Sequence, residues 1–228
     1  MTSLKAEDFI ERSPLYPLQR GARLATLGSA AIVARYGEQE EHAQLQRCAL
    51  TDLSNLPRVG FRGADAAAYL HAQGFELPDA PNRVLRQADG GLVARLSQTE
   101  YLLLGSLHDM GARIAREENA WELDERRNYL LPRQDSHAWL QLSGAHCAEV
   151  MAKVCGVDLR AQAFGPGAVA QTSAARINVI VLRPDAPTDD GCLHILCDRA
   201  SVQYFWEAML DAMQEFDGRP VGIDALLD

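Results

Sequence analysis

The 228-residue sequence predicts an α+β fold of two pseudo-repeated halves, each running strand, helix, three strands, helix (β-α-β-β-β-α). The first observation behind this is an internal echo. "RVGFRGADAAAYLHAQGFEL" from residue 58 and "WLQLSGAHCAEVMAKVCGVDL" from residue 139 each read as a strand, a glycine corner (Gly63, Gly144) and a small-residue helix ending near a second glycine (Gly74, Gly156). The second is that β-rich segments follow in one order: "LVARLS" (92–97) and "YLLLGS" (101–106) correspond to "INVIVL" (177–182) and "LHILCD" (193–198), with the longer loop "PDAPTDDG" absorbing the drift in offset. The third is that both halves then enter an amphipathic helix.

Taken in order, residues 1–25, with Pro14 and Pro17, read as an extended N-terminal arm, whose backbone groups need partners on this chain or another. Residues 26–130 form the first half, in which "AAIVARY" reads as a strand and "EQEEHAQLQRCAL" as a helix ahead of the repeat. Residues 131–228 form the second, and the two pack as one compact unit. Phe164-Gly165-Pro166-Gly167 reads as a rigid corner, Pro166 fixing φ and its flanking glycines relieving the sterics. In the last helix Val202, Phe205, Trp206, Met209, Leu210 and Met213 recur at helical spacing with Glu207, Asp211 and Gln214 between them, giving one apolar stripe, and Ser201 or Asp198 supplies a cap.

Composition narrows the function. Acids outnumber bases 31 to 22 and the net charge is -9, which works against binding a phosphate backbone, so nucleic acid is not an expected partner. The apolar runs are too short to span a bilayer, and Glu7, Asp8 and Glu11 interrupt the start, which lacks a secretion signal; no membrane association and a cytoplasmic location are expected. Cys48, Cys147, Cys155, Cys192 and Cys197 make an odd count with no C-x-x-C pair, which fits reduced, buried thiols.

No convergent reactive set is legible, and the expectation is no catalytic residue and no metal ligand in this chain. Cys192 and His194 share one face of a strand, but a tetrahedral site needs a further ligand, so a buried thiol beside a hydrogen-bonded imidazole is the plainer reading. His146 and Cys147 are neighbours about 100° apart on a helix and do not pair. Asp89-Gly90 and Asp189-Asp190-Gly191 read as hairpin turns and not as catalytic carboxylates. Asp52, with Ser54, caps a turn or presents an acid into a cleft.

The segment "LQLSGAHCAEVMAKVCGVDLRAQAFGPGAVAQTSAARINVIVLR" followed by "LHILCDRASVQYFWEAMLDAM" resembles the gamma subunits of heterotetrameric sarcosine oxidases through Ser143, Gly144, Cys155, Asp158, Leu159, Phe164, Pro166, Gly167, Ala170, Gln171 and Thr172. "CALTDLSNLPRVGFRGADAAAYL" is similar to the wider folate-binding aminomethyltransferase (T-protein) superfamily through Asp52, Leu53, Ser54, Gly63, Asp65 and Ala66. The resemblance implies a truncated aminomethyltransferase-like fold without the C-terminal barrel. It also implies a noncatalytic, cofactor-free subunit, its motif residues Gly144, Phe164, Pro166, Gly167, Gln171 and Thr172 serving structure. Larger partner subunits would hold FAD, FMN and NAD and bind tetrahydrofolate, oxidising an N-methyl amino acid and passing on the one-carbon unit. The alternative is a freestanding folate-binding aminomethyltransferase-like protein, with Asp52 or Asp65 as the acid.

Overall fold

A computed structural model describes residues 8–37, 41–185 and 191–227. After a 3-10 turn at Tyr16–Leu18 come a hairpin of β1 (Arg23–Leu27) and β2 (Ala30–Arg35), then α1 (His42–Arg47) and β3 (Ala49–Asp52). One run follows as β4 (Arg58–Arg62), α2 (Ala66–Ala72), β5 (Arg83–Arg86), β6 (Leu92–Arg95), β7 (Glu100–Leu104) and α3 (Ala112–Ala120). After β8 (Tyr129–Pro132) a second run is β9 (His137–Ser143), α4 (Cys147–Val154), β10 (Ala168–Ala174), β11 (Ile177–Arg183), β12 (Cys192–Asp198) and α5 (Val202–Met213). β13 (Arg219–Val221) and α6 (Asp224–Leu227) end the described chain.

Eleven strands form one sheet in the order β13-β3-β9-β12-β11-β10-β5-β6-β7-β4-β8. Two pairings tie its ends together. β3 directly precedes β4 in sequence yet pairs with β9, and β8 directly precedes β9 yet pairs with β4. Each run of strands is thus extended by a strand belonging to the chain just ahead of the other, and the boundary expected between residues 130 and 131 falls inside β8.

Alternation along the strands divides the core in three. On β9, Ala138, Leu140 and Leu142 face a cluster with Val150 and Met151 of α4 and Phe205, Trp206 and Met209 of α5. On β4 and β7, Val59, Phe61, Tyr101 and Leu103 face α2 through Ala66, Tyr69 and Leu70. The opposite sheet face brings Trp139, Leu182 and Leu196 together with Leu92, Ala94, Leu102 and Leu104, strands that are not neighbours in the sheet, so the sheet curls around this third cluster. Leu27, Ala30 and Ile32 of the first hairpin fill the space inside the curl.

The helix expected across "EQEEHAQLQRCAL" is shorter: residues 38–40 lie outside the described residues, and Ala49 and Leu50 join β3. Pairing with β9 outcompetes the helical spacing there. The described part of the N-terminal arm lies on its own chain: Leu15 is fully buried, Gln203 Nε2 donates to Pro14 O at 2.8 Å and Arg199 Nη2 to Arg12 O at 3.1 Å. On α5 the expected stripe is buried apart from half-buried Leu210; Ser201 at its N-cap makes no side-chain cap bond, and Asp198 instead caps the 3-10 turn Arg199–Ser201 that leads into it, accepting from Ala200 N at 2.8 Å.

Candidate functional site

Asp52 ends β3 as a buried carboxylate. Its Oδ2 accepts from Ser13 Oγ and, at 2.6 Å, from Gln19 Nε2, while Oδ1 accepts from Ser54 N at 2.9 Å. The last bond closes an Asx turn into the β3–β4 connection. The other two draw the N-terminal segment onto the acid, and the space left among Arg12, Ser13, Gln19, Asp52 and Asn55 is only about 10 Å³. The carboxylate therefore holds the chain's own segment in place and presents no open face to a ligand of folate size.

Asp65 sits elsewhere, half-buried at the start of α2, and is bound to Arg127: the Arg127 backbone N donates to Oδ2 at 2.8 Å and its Nε at 3.3 Å. These bonds, backbone first, hold its carboxyl below the usual range. The structure does not bring the two aspartates into one site. Asp65 instead fastens the residues ahead of β8, and its own backbone N donates to Arg127 O at 3.1 Å. The equivalent corner in the second run does the same with the residues ahead of β3, where Ala145 N donates to Gln46 O at 3.0 Å and His146 N to Arg47 O at 3.4 Å.

These contacts explain both corner glycines. A Cβ on Gly63 (φ 147°) would lie 1.9 Å from Arg127 O, and one on Gly144 (φ 114°) would lie 2.4 Å from Arg47 C and O. Each glycine leaves room for the backbone that crosses from the other end of the sheet.

The Phe164 to Thr172 motif runs along the junction between the two runs of strands. Gly167 (φ 76°) donates from N to Arg183 O at 2.8 Å, and its carbonyl accepts from Val84 N of β5 at 3.0 Å. Val169 N donates to Asn82 O at 3.0 Å. Gln171 Nε2 adds bonds to Asn82 Oδ1 (2.8 Å) and Leu96 O (2.7 Å), so one side chain joins β10 to the connections on either side of β5 and β6. Phe164 is buried with Leu159 beneath the corner made by Pro166. Thr172 borders a groove of about 550 Å³ with His137, Ser173 and Asn178.

The residues of both histidine–cysteine combinations have other partners. Trp139 Nε1 donates to His194 Nδ1 at 3.0 Å, leaving Nε2 toward Cys192 Sγ at 3.9 Å. Cys147 Sγ donates to Gly191 O at 2.8 Å while the His146 ring stacks on Phe216, and burial pushes the Cys147 thiol well up. All five cysteines are free and buried. Among the described residues no three His, Cys, Asp or Glu side chains converge as a metal site, and Asp89 closes a turn onto Gly91 N at 2.9 Å. Of Asp189-Asp190-Gly191 only Gly191 is among the described residues.

Burial, with Arg86 adding to it, lowers the His194 imidazole to about 3. The unfolded chain, with a pKa near 6.5, then takes up a proton that the folded chain refuses, so stability is complete above pH ~6.5 and falls as the pH drops toward 3, by up to about 1.4 kcal/mol per unit. Denaturant unfolding at pH 7, 5 and 4 is expected to show a flatter dependence for His194→Asn, whose Oδ1 can still accept from Trp139. Equal slopes in the two proteins would show that His194 is not the group refusing the proton.

Comparison with known proteins places this geometry. The family model described as the GCVT N-terminal domain matches residues 86–227. The chain belongs to the GCVT N-terminal domain family. Within it, this GCVT-domain chain is 28% identical over 176 residues to the sarcosine oxidase subunit gamma of Corynebacterium sp. (strain P-1), covering 75% of this chain and 83% of that one. It is 29% identical over 203 residues to the gamma subunit of Corynebacterium sp. (strain U-96), covering 84% and 92%.

Among solved structures, the heterotetrameric sarcosine oxidase from Corynebacterium sp. U-96 in complex with pyrrole 2-carboxylate contains a chain matching at TM-score 0.64 and 23% identity, over 91% of this chain and 96% of that one. The glycine cleavage system aminomethyltransferase T from Bartonella henselae matches at TM-score 0.67 and 16% identity, over 95% of this chain and 60% of that one. The GCVT-domain chain thus has the aminomethyltransferase-like fold, with mixed α and β content and a curled sheet. No helix among the described residues is long and apolar enough to cross a membrane.

Two residues that matter to this GCVT-domain fold escaped sequence reasoning. Arg58 is fully buried at the start of β4, and nothing in "LPRVGF" marks it as different from a surface arginine. Arg183 is 5% exposed, and here a signal existed: in "INVIVLR" it keeps the parity of Val179 and Val181, both core residues.

Proposed function

We propose that this chain is a noncatalytic structural subunit of a heteromeric, flavin-dependent sarcosine oxidase-like complex, acting in the cytoplasm. In this reading the complex oxidises an N-methyl amino acid and transfers the one-carbon unit to tetrahydrofolate. Larger partner subunits carry FAD, FMN and NAD and the folate, and this chain carries no cofactor. The observation behind it is the similarity to two gamma subunits over most of their length and most of this chain. The side chains point the same way: Asp52 is engaged by Ser13 and Gln19, Asp65 by Arg127, and the inside of the curl is packed with Leu27, Ala30 and Ile32. The two β-α-β-β-β-α runs are read as copies of one unit, braced by the exchanged strands β3 and β8, leaving the outer surface for partners.

Coexpression of the tagged chain with flavin-containing oxidoreductase subunits tests this. The expected product is a yellow, stoichiometric complex that turns over sarcosine and releases FAD and FMN on denaturation. A colourless, uncomplexed chain would sink the proposal, and so would saturable binding of tetrahydrofolate by the chain alone.

A further inference from the structure

Arg183 ends β11 on the face that carries Val179 and Val181 into the helix-side core. Its guanidinium offers five N–H donors. Among the described residues a single hydrogen bond uses them, from Nη2 to Leu159 O at 2.9 Å. Among the described residues Nε is buried with no partner, no carboxylate lies within ion-pair distance, and the other contact with the cation is the Phe164 ring at 6.0 Å. Arg58, also buried and also without a partner at Nε, differs at its two terminal nitrogens, which have five oxygen acceptors around them. A buried cation with one acceptor is costly unless an anion completes it.

Arg183 borders a groove of about 730 Å³ between α4 and the segment 156–162, within the range of small-molecule sites. Ala145, Ala148 and Ala152 line one wall and Val157 and Leu159 the other, short side chains that give the groove apolar patches between its charged residues. The second cation on the groove, Arg160, is already taken by Asp158 at 2.6 Å, and Glu149 adds a negative charge. Among the described lining residues Arg183 is thus the one cation without a carboxylate, and the groove carries no net positive charge beyond it. That balance suits a single carboxylate, which accepts two parallel N–H bonds from a guanidinium, and disfavours a phosphate dianion or a nucleotide.

We infer that this groove binds a small monocarboxylate with an apolar body, anchored by Arg183. The site lies on the helix-covered side of the sheet, and the inference does not rest on the subunit role proposed above.

The test is titration of the full chain with hexanoate, benzoate and inorganic phosphate, followed by calorimetry and saturation-transfer NMR. Saturable carboxylate binding with Kd on the order of 1 mM or tighter is expected, with phosphate failing to compete. Arg183→Met is expected to weaken binding by about tenfold or more, while Arg160→Gln leaves it unchanged. Should the methionine variant not fold, Arg183→Lys keeps the charge but loses the paired donors and is expected to bind several-fold more weakly. Unchanged affinity in the folded Arg183 variant, phosphate binding as tightly as hexanoate, or no carboxylate binding at roughly 10 mM overturns the proposal. A carboxylate supplied by a partner chain would give that last result together with failure of Arg183→Met to assemble.

Discussion

Alanine at Gly144 is expected to cost about 3–5 kcal/mol of folding stability and to lower the melting temperature by about 10 °C. Two penalties act together. The backbone there has φ 114°, a region L-residues rarely adopt, and the new methyl would press on the carbonyl of Arg47 and on Cys48 N, which stands 2.7 Å from its position. Neither neighbour is a flexible side-chain tip. Both belong to the chain entering β3, whose pairing with β9 completes that end of the sheet, so relief by movement would strain the pairing itself. Gly63→Ala is expected to behave alike through Arg127 O and β8. Gly156→Ala is the control, since nothing lies within 4 Å of its Cβ, and it is expected to fall within about 0.5 kcal/mol of the parent. Urea unfolding of the three variants decides the matter, and a Gly144→Ala protein as stable as the control would mean that the corner has slack.

How much of this was legible follows from the range of the interactions. The succession of strands and helices in both runs could be read because each element carries its own pattern: the apolar stripe of α5, the alternation of β11, the glycine corners. Of the strands missed before the structure, β3, β8 and β13 are three or four residues long and exist only through distant pairing, with β9, β4 and β3, whereas β1 overlaps the end of what read as an extended arm and pairs with the adjacent β2. Cys48, Ala49 and Leu50 continue a helical spacing perfectly well. Only the neighbouring β9 makes them extended.

The candidate site divides along the same line. Glycine and proline at 165–167 announce a corner locally, but that the corner would face Val84 and Asn82 depends on β5 and β10 meeting edge to edge, a long-range fact. The corner glycines are marked by sequence only as the turn between a strand and a helix. Their tighter constraint is the crossing backbone of Arg47 and Arg127, which local sequence does not encode. Asp52 could be singled out as an acid near a turn, and its Asx bond to Ser54 N was foreseeable from spacing. Capture of Ser13 and Gln19 was not, because it depends on the N-terminal segment folding back onto β3.

The same crossing segments meet at Arg58, where a further large loss is expected on substitution. Its terminal nitrogens donate to Ser54 O (2.8 Å) and Leu56 O (3.1 Å) in the β3–β4 connection, and to Gln134 Oε1 and O (both 3.2 Å) and His137 O around the β8–β9 connection. One cation thus ties the two connections over which the chain changes ends. Burial, with Arg199 reinforcing it, lowers its pKa to about 9, so it is charged at neutral pH. Burying the cation does not itself stabilise the fold; taking it away removes a donor from five acceptors, of which Ser54 O keeps Gln134 Nε2 and Gln134 O keeps Arg199 Nη1, and leaves a void. Arg58→Met is therefore expected to cost about 3–5 kcal/mol. Lysine keeps the charge but has three donors on one nitrogen and cannot span both connections, so Arg58→Lys is expected to lose about 2 kcal/mol, less than methionine. If the stability ranks methionine above lysine in denaturant unfolding, apolar filling matters more there than the bridge between connections, and the account of Arg58 as a tie between the two ends of the sheet fails.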